Sequence, residues 1–213
     1  MSKKLLLLGG GGHCKSVLDS LNFSKYSEIG IVDKKESIGK VILNIPVIGT
    51  DDDLEKLYRM GYNYAFVTVG STGDPSIRIK LFNILEKIGF EILNVIDPTA
   101  IVSKYATLEN GIYVGKNAVI NAGSFIGKGT IINTASSIDH DCNIGQFVHI
   151  APGCVLCGEV KIGEYTHIGA RSVIKQRIEI GANSLIGMGS VVLKNISKNV
   201  VAYGNPCKEV KKR

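Results

Sequence analysis

His140 and Asp141 stand side by side in Ser137-Ile138-Asp139-His140-Asp141-Cys142, the clearest chemical signal in this sequence. An imidazole titrates near neutral pH, and an adjoining carboxylate can hold it in one tautomer and raise its basicity. A lone outward histidine is usually surface decoration; the acidic neighbour makes a general base the better reading. Such a base suits a reaction in which an amine or hydroxyl loses its proton as it attacks a carbonyl. That chemistry also needs a hydrogen-bond donor where the oxyanion develops. No residue is placed as an obvious covalent nucleophile.

A second chemically suggestive segment lies near the start. Gly9-Gly10-Gly11-Gly12 follows the apolar run Leu5 to Leu8 and leads into a helix-like stretch through Ser16, Val17, Leu18 and Leu21. Amides at such a junction can face a phosphate at the helix N-terminus. The run is not a full G-x-G-x-x-G, so a dinucleotide site is weakly supported. Asp33 closes the apolar run Ile29 to Val32, where an acidic side chain can accept from a ribose hydroxyl.

The elements that position these residues follow two different rules. Over the first hundred residues, strand-like runs (Leu5 to Leu8, Ile29 to Val32, Tyr64 to Val69, Ile92 to Ile96) alternate with helical stretches (Asp51 to Met60, Ile77 to Ile88). That alternation predicts a small parallel α/β domain, punctuated at Asp97-Pro98. Domains are therefore expected at 1–97 and 98–213. From Val102 onward, stepping by six meets an aliphatic residue sixteen consecutive times, ending at Val192. Such a register predicts a hexapeptide-repeat β-helix with three short sides and eighteen residues per coil. Stacked at about 4.8 Å, its five-odd coils make a prism roughly 25 Å tall.

Within each hexad, the residue after the aliphatic one is often Gly, Asn or Asp, read as the turn residue with unusual backbone angles. Four places after the aliphatic one the chain prefers small or β-branched residues such as Ser124, Thr130 and Ser136. Cys142 and Cys154 fall on that position, so packing is expected for them, and for Cys154-x-x-Cys157 over redox or metal chemistry. His149 and His167 are eighteen apart and should stack on adjacent coils, and His140 should face outward. Flat exposed sides predict an oligomer.

Composition narrows the classes further. The five cysteines are an odd number, which suits a reducing compartment, and the first apolar run is too short for a leader or membrane span. A cytoplasmic protein with no membrane insertion is expected. The net charge of +6 comes without interleaved aromatic and basic residues, which argues against nucleic acid. The basic cluster Lys208, Lys211, Lys212 and Arg213 is read as a solvated tail.

The six-residue register, the His140-Asp141 segment and the tail Val201-Ala202-Tyr203-Gly204-Asn205-Pro206-Cys207-Lys208 resemble the left-handed β-helix acyltransferases, which are trimers using acetyl-CoA. Leu8-Gly9-Gly10-Gly11-Gly12-His13-Cys14-Lys15 and Pro46-Val47-Ile48-Gly49-Thr50 resemble its sugar acetyltransferase branch. That branch includes the bacillosamine-pathway enzyme PglD, the perosamine N-acetyltransferases and the sialic acid O-acetyltransferase NeuD.

The resemblance implies an α/β, Rossmann-like domain that binds a nucleotide-sugar, followed by the left-handed β-helix. It implies His140 as base, Asp141 as its support and the Gly158 amide as oxyanion donor. It puts His149, Cys157, Ala170 and Met188 at acetyl-CoA, with the pantetheine between two columns. It assigns Gly11, Gly12, His13, Asp33, Lys34 and Gly70 to the nucleotide and Asn133 to the sugar. Asp141 stands where the bacillosamine enzyme has glutamate, and Lys34 where it has a second acidic residue. The activity implied is acetyl-CoA-dependent N-acetylation of a nucleotide-linked amino sugar by a homotrimer without metal. The alternatives are O-acetylation of a sialic acid or other sugar hydroxyl, and a non-catalytic nucleotide-sugar-binding trimer. A zinc site of the γ-carbonic anhydrase kind fits neither the 140-to-149 nor the 149-to-167 spacing.

Overall fold

A computed structural model describes residues 3–213. The chain divides into two compact units: one runs up to Gly70 and resumes from Ser76 to Val95, the other comprises Ser71–Pro75 and Ile96–Arg213.

In the first unit the elements are β1 (Lys4–Leu8), α1 (Gly12–Ser20), β2 (Glu28–Val32), β3 (Val41–Ile42), β4 (Ile45–Gly49), α2 (Leu54–Arg59), β5 (Tyr64–Val67), α3 (Ser76–Ile88) and β6 (Glu91–Ile92). The sheet order is β3-β4-β2-β1-β5-β6, parallel except for the β3–β4 hairpin. Leu5 to Leu8 of β1 are wholly buried, which is why that strand reads as an unbroken apolar run instead of an alternating one. The chain leaves β1 towards β2 on one side and returns to β5 on the other. The carboxyl end of β1 is therefore a topological switch point, where open α/β sheets bind ligands.

Three details depart from the sequence reading. The helix expected over Asp51 to Met60 opens with a 3-10 turn, Asp51–Asp53, before α2, because Thr50 and Asp53 form a reciprocal capping box there. The strand expected over Ile92 to Ile96 is interrupted: Glu91–Ile92 completes the sheet and Val95–Ile96 is a separate strand. The strand expected to run to Val69 ends at Val67, after which the Thr68 hydroxyl donates to the carbonyl of Gly9 at 2.6 Å.

In the second unit the six-residue register holds without a slip. Each hexad gives a two-residue strand, and these pair in parallel eighteen residues on, as in His149↔His167 and Ile150↔Ile168, until the last coil closes sixteen residues on at Leu185↔Val201 and Ile180↔Ile196. The strands make three sheets of a left-handed β-helix. The inward aliphatic residues from Val114 to Val192 form one buried stack. Fully burying each such side chain stabilises the column by roughly 1.5–3 kcal/mol before entropy is counted.

The corners show why the other positions look as they do, and they correct one expectation. The left-handed residue is the third after the aliphatic one, not the first: Asn117, Ala135, Asp141, Glu159 and Arg177 all have φ between 54° and 62°. Glycine is common at the first position for another reason, close approach of the next coil. A Cβ on Gly145 would lie 2.7 Å from the backbone nitrogen of Glu164. The Ser and Thr at the fourth position point inward and tie the next corner together. The Ser124 hydroxyl donates to the carbonyl of Asp139 at 2.8 Å and accepts from the N–H of Cys142 at 3.1 Å. Cys142 and Cys154 are buried in the stack, as their register predicts.

The basic C-terminal residues are exposed to solvent, as expected, and they are carried on a regular strand. Val200–Gly204 extends one sheet, and Cys207–Lys212 pairs back on it antiparallel. Arg213 then donates to the carbonyls of Ser184 and Gly73. Among the described residues no helix is long and apolar enough to cross a membrane.

Candidate functional site

The α/β unit carries a cleft of about 840 Å³ at its switch point. Gly11, Gly12, His13, Asp33, Lys34 and Gly70 all line it, so all six nucleotide residues expected within this unit come together. Gly11 sits at the N-cap of α1 with extended backbone, and a Cβ on Gly11 or Gly12 would meet only open space. The helix N-terminus is thus open to an anion. Gly10 is different: a Cβ there would lie 2.7 Å from Asp33 Oδ2, so the loop lets the carboxylate come up against the backbone. Burial, reinforced by the Arg78 charge, pushes His13 down to about 4, which leaves its imidazole neutral at physiological pH. Sequence reasoning missed Asp51 and Lys80, which line the same cleft; burial raises the Asp51 carboxyl above its ordinary range. Nothing in their local pattern distinguishes them from surface charges of a helix start and a helix.

On the column, one corner edge stacks His140 and Gly158 in one slot and Asp141 and Glu159 in the next. Nδ1 of His140 lies 2.8 Å from Oδ2 of Asp141. With Nδ1–H donating to the carboxylate, Nε2 is left with its lone pair. Both side chains remain more than half exposed, at 56% and 62%, in line with the outward placement expected from the register. The His140 pKa is raised, first by the Asp141 hydrogen bond and then by the Asp139 charge.

Asp139, which sequence reasoning passed over, accepts from the His140 N–H at 2.8 Å and from Asn121 Nδ2 at 3.2 Å, fixing the entry to the corner. A Cβ on Gly158 would lie 2.6 Å from both Cε1 and Nε2 of His140, so the ring occupies the space above that glycine. The neighbouring coil ladder runs through Cys157 N to Ile174 O and Glu159 N to His140 O, leaving the Gly158 N–H outside it. Cys157, half-buried, begins this same corner.

The other residues expected at acetyl-CoA lie elsewhere on the column. Ala170 and Met188 line an open cleft of about 490 Å³ along the preceding edge, with Pro152, Arg171 and Gly189. His149 lies on the side that leads to that edge. Its ring meets His167 edge-on at 4.8 Å, which is the stacking the register predicts. Its Nδ1 is 2.6 Å from the carbonyl of Ser71, and its Nε2 is 3.3 Å from Asn133 Nδ2. Asn133 and His149 are therefore partners, joined to a loop residue that no sequence signal marks. Among the described residues no three His, Cys, Asp or Glu side chains gather in a way that could hold a metal ion.

A left-handed β-helix of hexapeptide repeats that follows an α/β unit along the chain is the architecture of the hexapeptide-repeat acyltransferases. Comparison with known proteins narrows it. Residues 4–85 match the PglD N-terminal domain, 141–176 and 159–194 the bacterial transferase hexapeptide, and 104–128 the hexapeptide repeat of succinyl-transferase. PerB, the perosamine N-acetyltransferase of Caulobacter crescentus, solved with CoA and GDP-perosamine, is 35% identical with a TM-score of 0.91, covering 98% of this chain and 97% of that one. The acetyltransferase domain of PglB from Neisseria gonorrhoeae, solved with acetyl coenzyme A, is 34% identical with a TM-score of 0.91, covering 99% and 100%. This chain belongs to the left-handed β-helix sugar acetyltransferase family of the PglD and perosamine N-acetyltransferase type.

Proposed function

We propose that this protein transfers the acetyl group of acetyl-CoA to the amino group of a nucleotide-linked amino sugar. The α/β unit takes the nucleotide, and the column takes acetyl-CoA and does the chemistry. The observation that carries the reading is the His140–Asp141 pair, with the imidazole seated over Gly158. The sugar nitrogen attacks the thioester carbonyl carbon, forming the C–N bond while Nε2 of His140 takes the amine proton. Negative charge collects on the carbonyl oxygen, where the Gly158 N–H donates to it. Collapse of this intermediate breaks the C–S bond, and the departing sulfur takes the proton from the imidazolium. Two relatives with the same architecture are described with CoA or acetyl-CoA, and one with a GDP-linked amino sugar, which supports both substrates.

The active form proposed is a homotrimer. On a single column the His140 edge and the Ala170–Met188 edge are separated by one whole side, roughly 15 to 20 Å at strand rise. A neighbouring column supplies the missing edge. The side between them presents Ile101, Val155 and Val173 outward and substantially exposed, which suits burial against a copy. All five cysteines are free thiols, which fits the cytoplasm.

The test is thiol release from acetyl-CoA across a panel of nucleotide-linked amino sugars and hydroxyl-only sugars. Turnover with an amine acceptor is expected. Release only with hydroxyl acceptors would replace N- by O-acetylation, and none with any acceptor would leave a binding trimer. His140→Ala should lose about 10²- to 10⁴-fold in kcat with the fold intact. A variant close to wild type would remove His140 from the base role.

A further inference from the structure

We infer that Gly123, one coil before the catalytic pair, is a positioning residue for the base, acting through Asp141. Successive coils place Gly123, Asp141, Glu159 and Arg177 in one corner slot. A Cβ on Gly123 would overlap Oδ1 of Asp141 and lie 3.2 Å from its Cγ. The space above Gly123 is therefore where the Asp141 carboxylate lies.

The coil on the other side behaves differently. Glu159 is drawn to Arg177, whose Nε donates to it at 2.9 Å. Asp141 is left to turn down over Gly123 and sideways to Nδ1 of His140. The charged groups acting on the imidazole are Asp141 through its hydrogen bond, Asp139 at the base of the corner, and Glu159 above. Of these, only Asp141 both holds the tautomer and has a seat made by a missing side chain.

Backbone need alone does not account for a glycine here. Gly123 has φ +75°, but the equivalent slot accepts alanine at Ala135, φ 55°, and asparagine at Asn117 and Asn183, φ 54° and 53°. What alanine cannot do at 123 is leave the carboxylate where it is. Displaced, Asp141 gives up its hold on Nδ1, the tautomer with Nε2 unprotonated loses its preference, and the imidazole becomes less basic.

The inference rests on the acetyl-transfer reading for its effect on turnover, whereas the titration of His140 reports the seat whether or not acetyl transfer occurs. The experiment compares wild type, Gly123→Ala, Asp141→Asn and the double variant, with thermal melts, kcat against pH, and histidine titration by NMR. The chain has only four histidines, and His140 is distinguished by its exposure. Gly123→Ala should keep both KM values, lower kcat by about 10- to 100-fold, and move the His140 midpoint down. The double variant should be no worse than Asp141→Asn. Should alanine unfold the corner, Gly123→Asn serves, since asparagine already occupies the slot elsewhere. A folded variant with the wild-type His140 midpoint overturns the inference, as does a loss that adds in full to that of Asp141→Asn.

Discussion

The imidazole of His140 lies over the backbone of Gly158, so closely that a Cβ on residue 158 would come within 2.6 Å of Nε2. The two residues are eighteen apart and meet only because coils stack. Under the proposed mechanism the contact joins the base to the residue whose amide would donate to the oxyanion. Their separation is then set by coil stacking and not by a flexible loop.

Gly158→Ala tests that relationship directly. Alanine keeps the amide, so the donor survives, but the ring must move. A displacement of this kind is expected to cost on the order of 10²-fold in kcat. Melting should change little, because residue 158 has no left-handed backbone requirement. Kinetics beside a thermal melt check it; unchanged kcat would mean that the ring position does not matter.

The pH dependence has a definite sign. The raised pKa of His140, caused first by the Asp141 hydrogen bond, leaves less of the imidazole neutral at a given pH than in an ordinary histidine. The acid limb of kcat/KM should therefore sit above the ordinary histidine range. Asp141→Asn removes the charge and should shift that limb to lower pH while lowering the plateau. For stability the sign is reversed: a raised folded pKa favours the fold below the unfolded value, and that contribution is lost as pH rises through the folded one. Rate profiles of both proteins decide it; a limb that fails to move would detach Asp141 from the base.

The fold was legible because the aliphatic step of six is a property of single residues, and it held from Val102 to Val192. The outward place of His140 and the burial of Cys142 and Cys154 followed from that register alone. The role of the first-position glycines did not, because Gly145 answers to Glu164 of the next coil and not to its own φ. Asp139, Ser71 and Gly123 were invisible for a similar reason. Each acts on a neighbour through space, and the spacing of types along the chain does not say which way a side chain turns. Membership of the two edges follows from the same period: Ala170 and Met188 are eighteen apart and share an edge, while neither is a multiple of eighteen from His140.

Gly10→Ala separates nucleotide binding from chemistry. Its Cβ would lie 2.7 Å from Asp33 Oδ2 and from Ile42 Cδ1, so it displaces the carboxylate proposed for the ribose. Loss of one charge-assisted hydrogen bond, about 1.5–3 kcal/mol, raises KM for the nucleotide-sugar roughly 10- to 100-fold. KM for acetyl-CoA should stay put. Equal rises in both would mean a general disturbance instead of a nucleotide site.

The inward hydroxyls predict a cost out of proportion to their size. Ser136 is buried, and its hydroxyl donates to the carbonyl of Ala151 at 2.9 Å. Ser136→Ala leaves that carbonyl without the hydroxyl and is expected to cost about 1–3 kcal/mol. Ser124→Ala should cost a similar amount, but it also loosens the corner from Asp139 to Cys142 and so should lower kcat, which Ser136→Ala should do less. Denaturant melts and kinetics on the pair distinguish the two; equal activity losses would argue that the corner holding His140 is not special.

The last expectation concerns assembly. One side of the column carries Ile101, Val155 and Val173 outward, while the next pairs Lys161 with Glu179 at 2.8 Å as an exposed ion pair. An apolar side left in water is costly, and a charged one is not, so columns should meet on the first. Val155→Glu with Val173→Glu places carboxylates eighteen residues apart on adjacent coils of that side, repelling each other and any apolar partner. Light scattering should then report a smaller species than wild type, and kcat should fall even though His140, Asp141 and Gly158 are untouched. Lys161→Ala should change neither, since exposed pairs contribute at most about 1 kcal/mol. Retained mass would mean that columns do not meet on this side; a smaller species with full turnover would mean that the site is complete within one column and that the edge carrying Ala170 and Met188 has no part in holding acetyl-CoA.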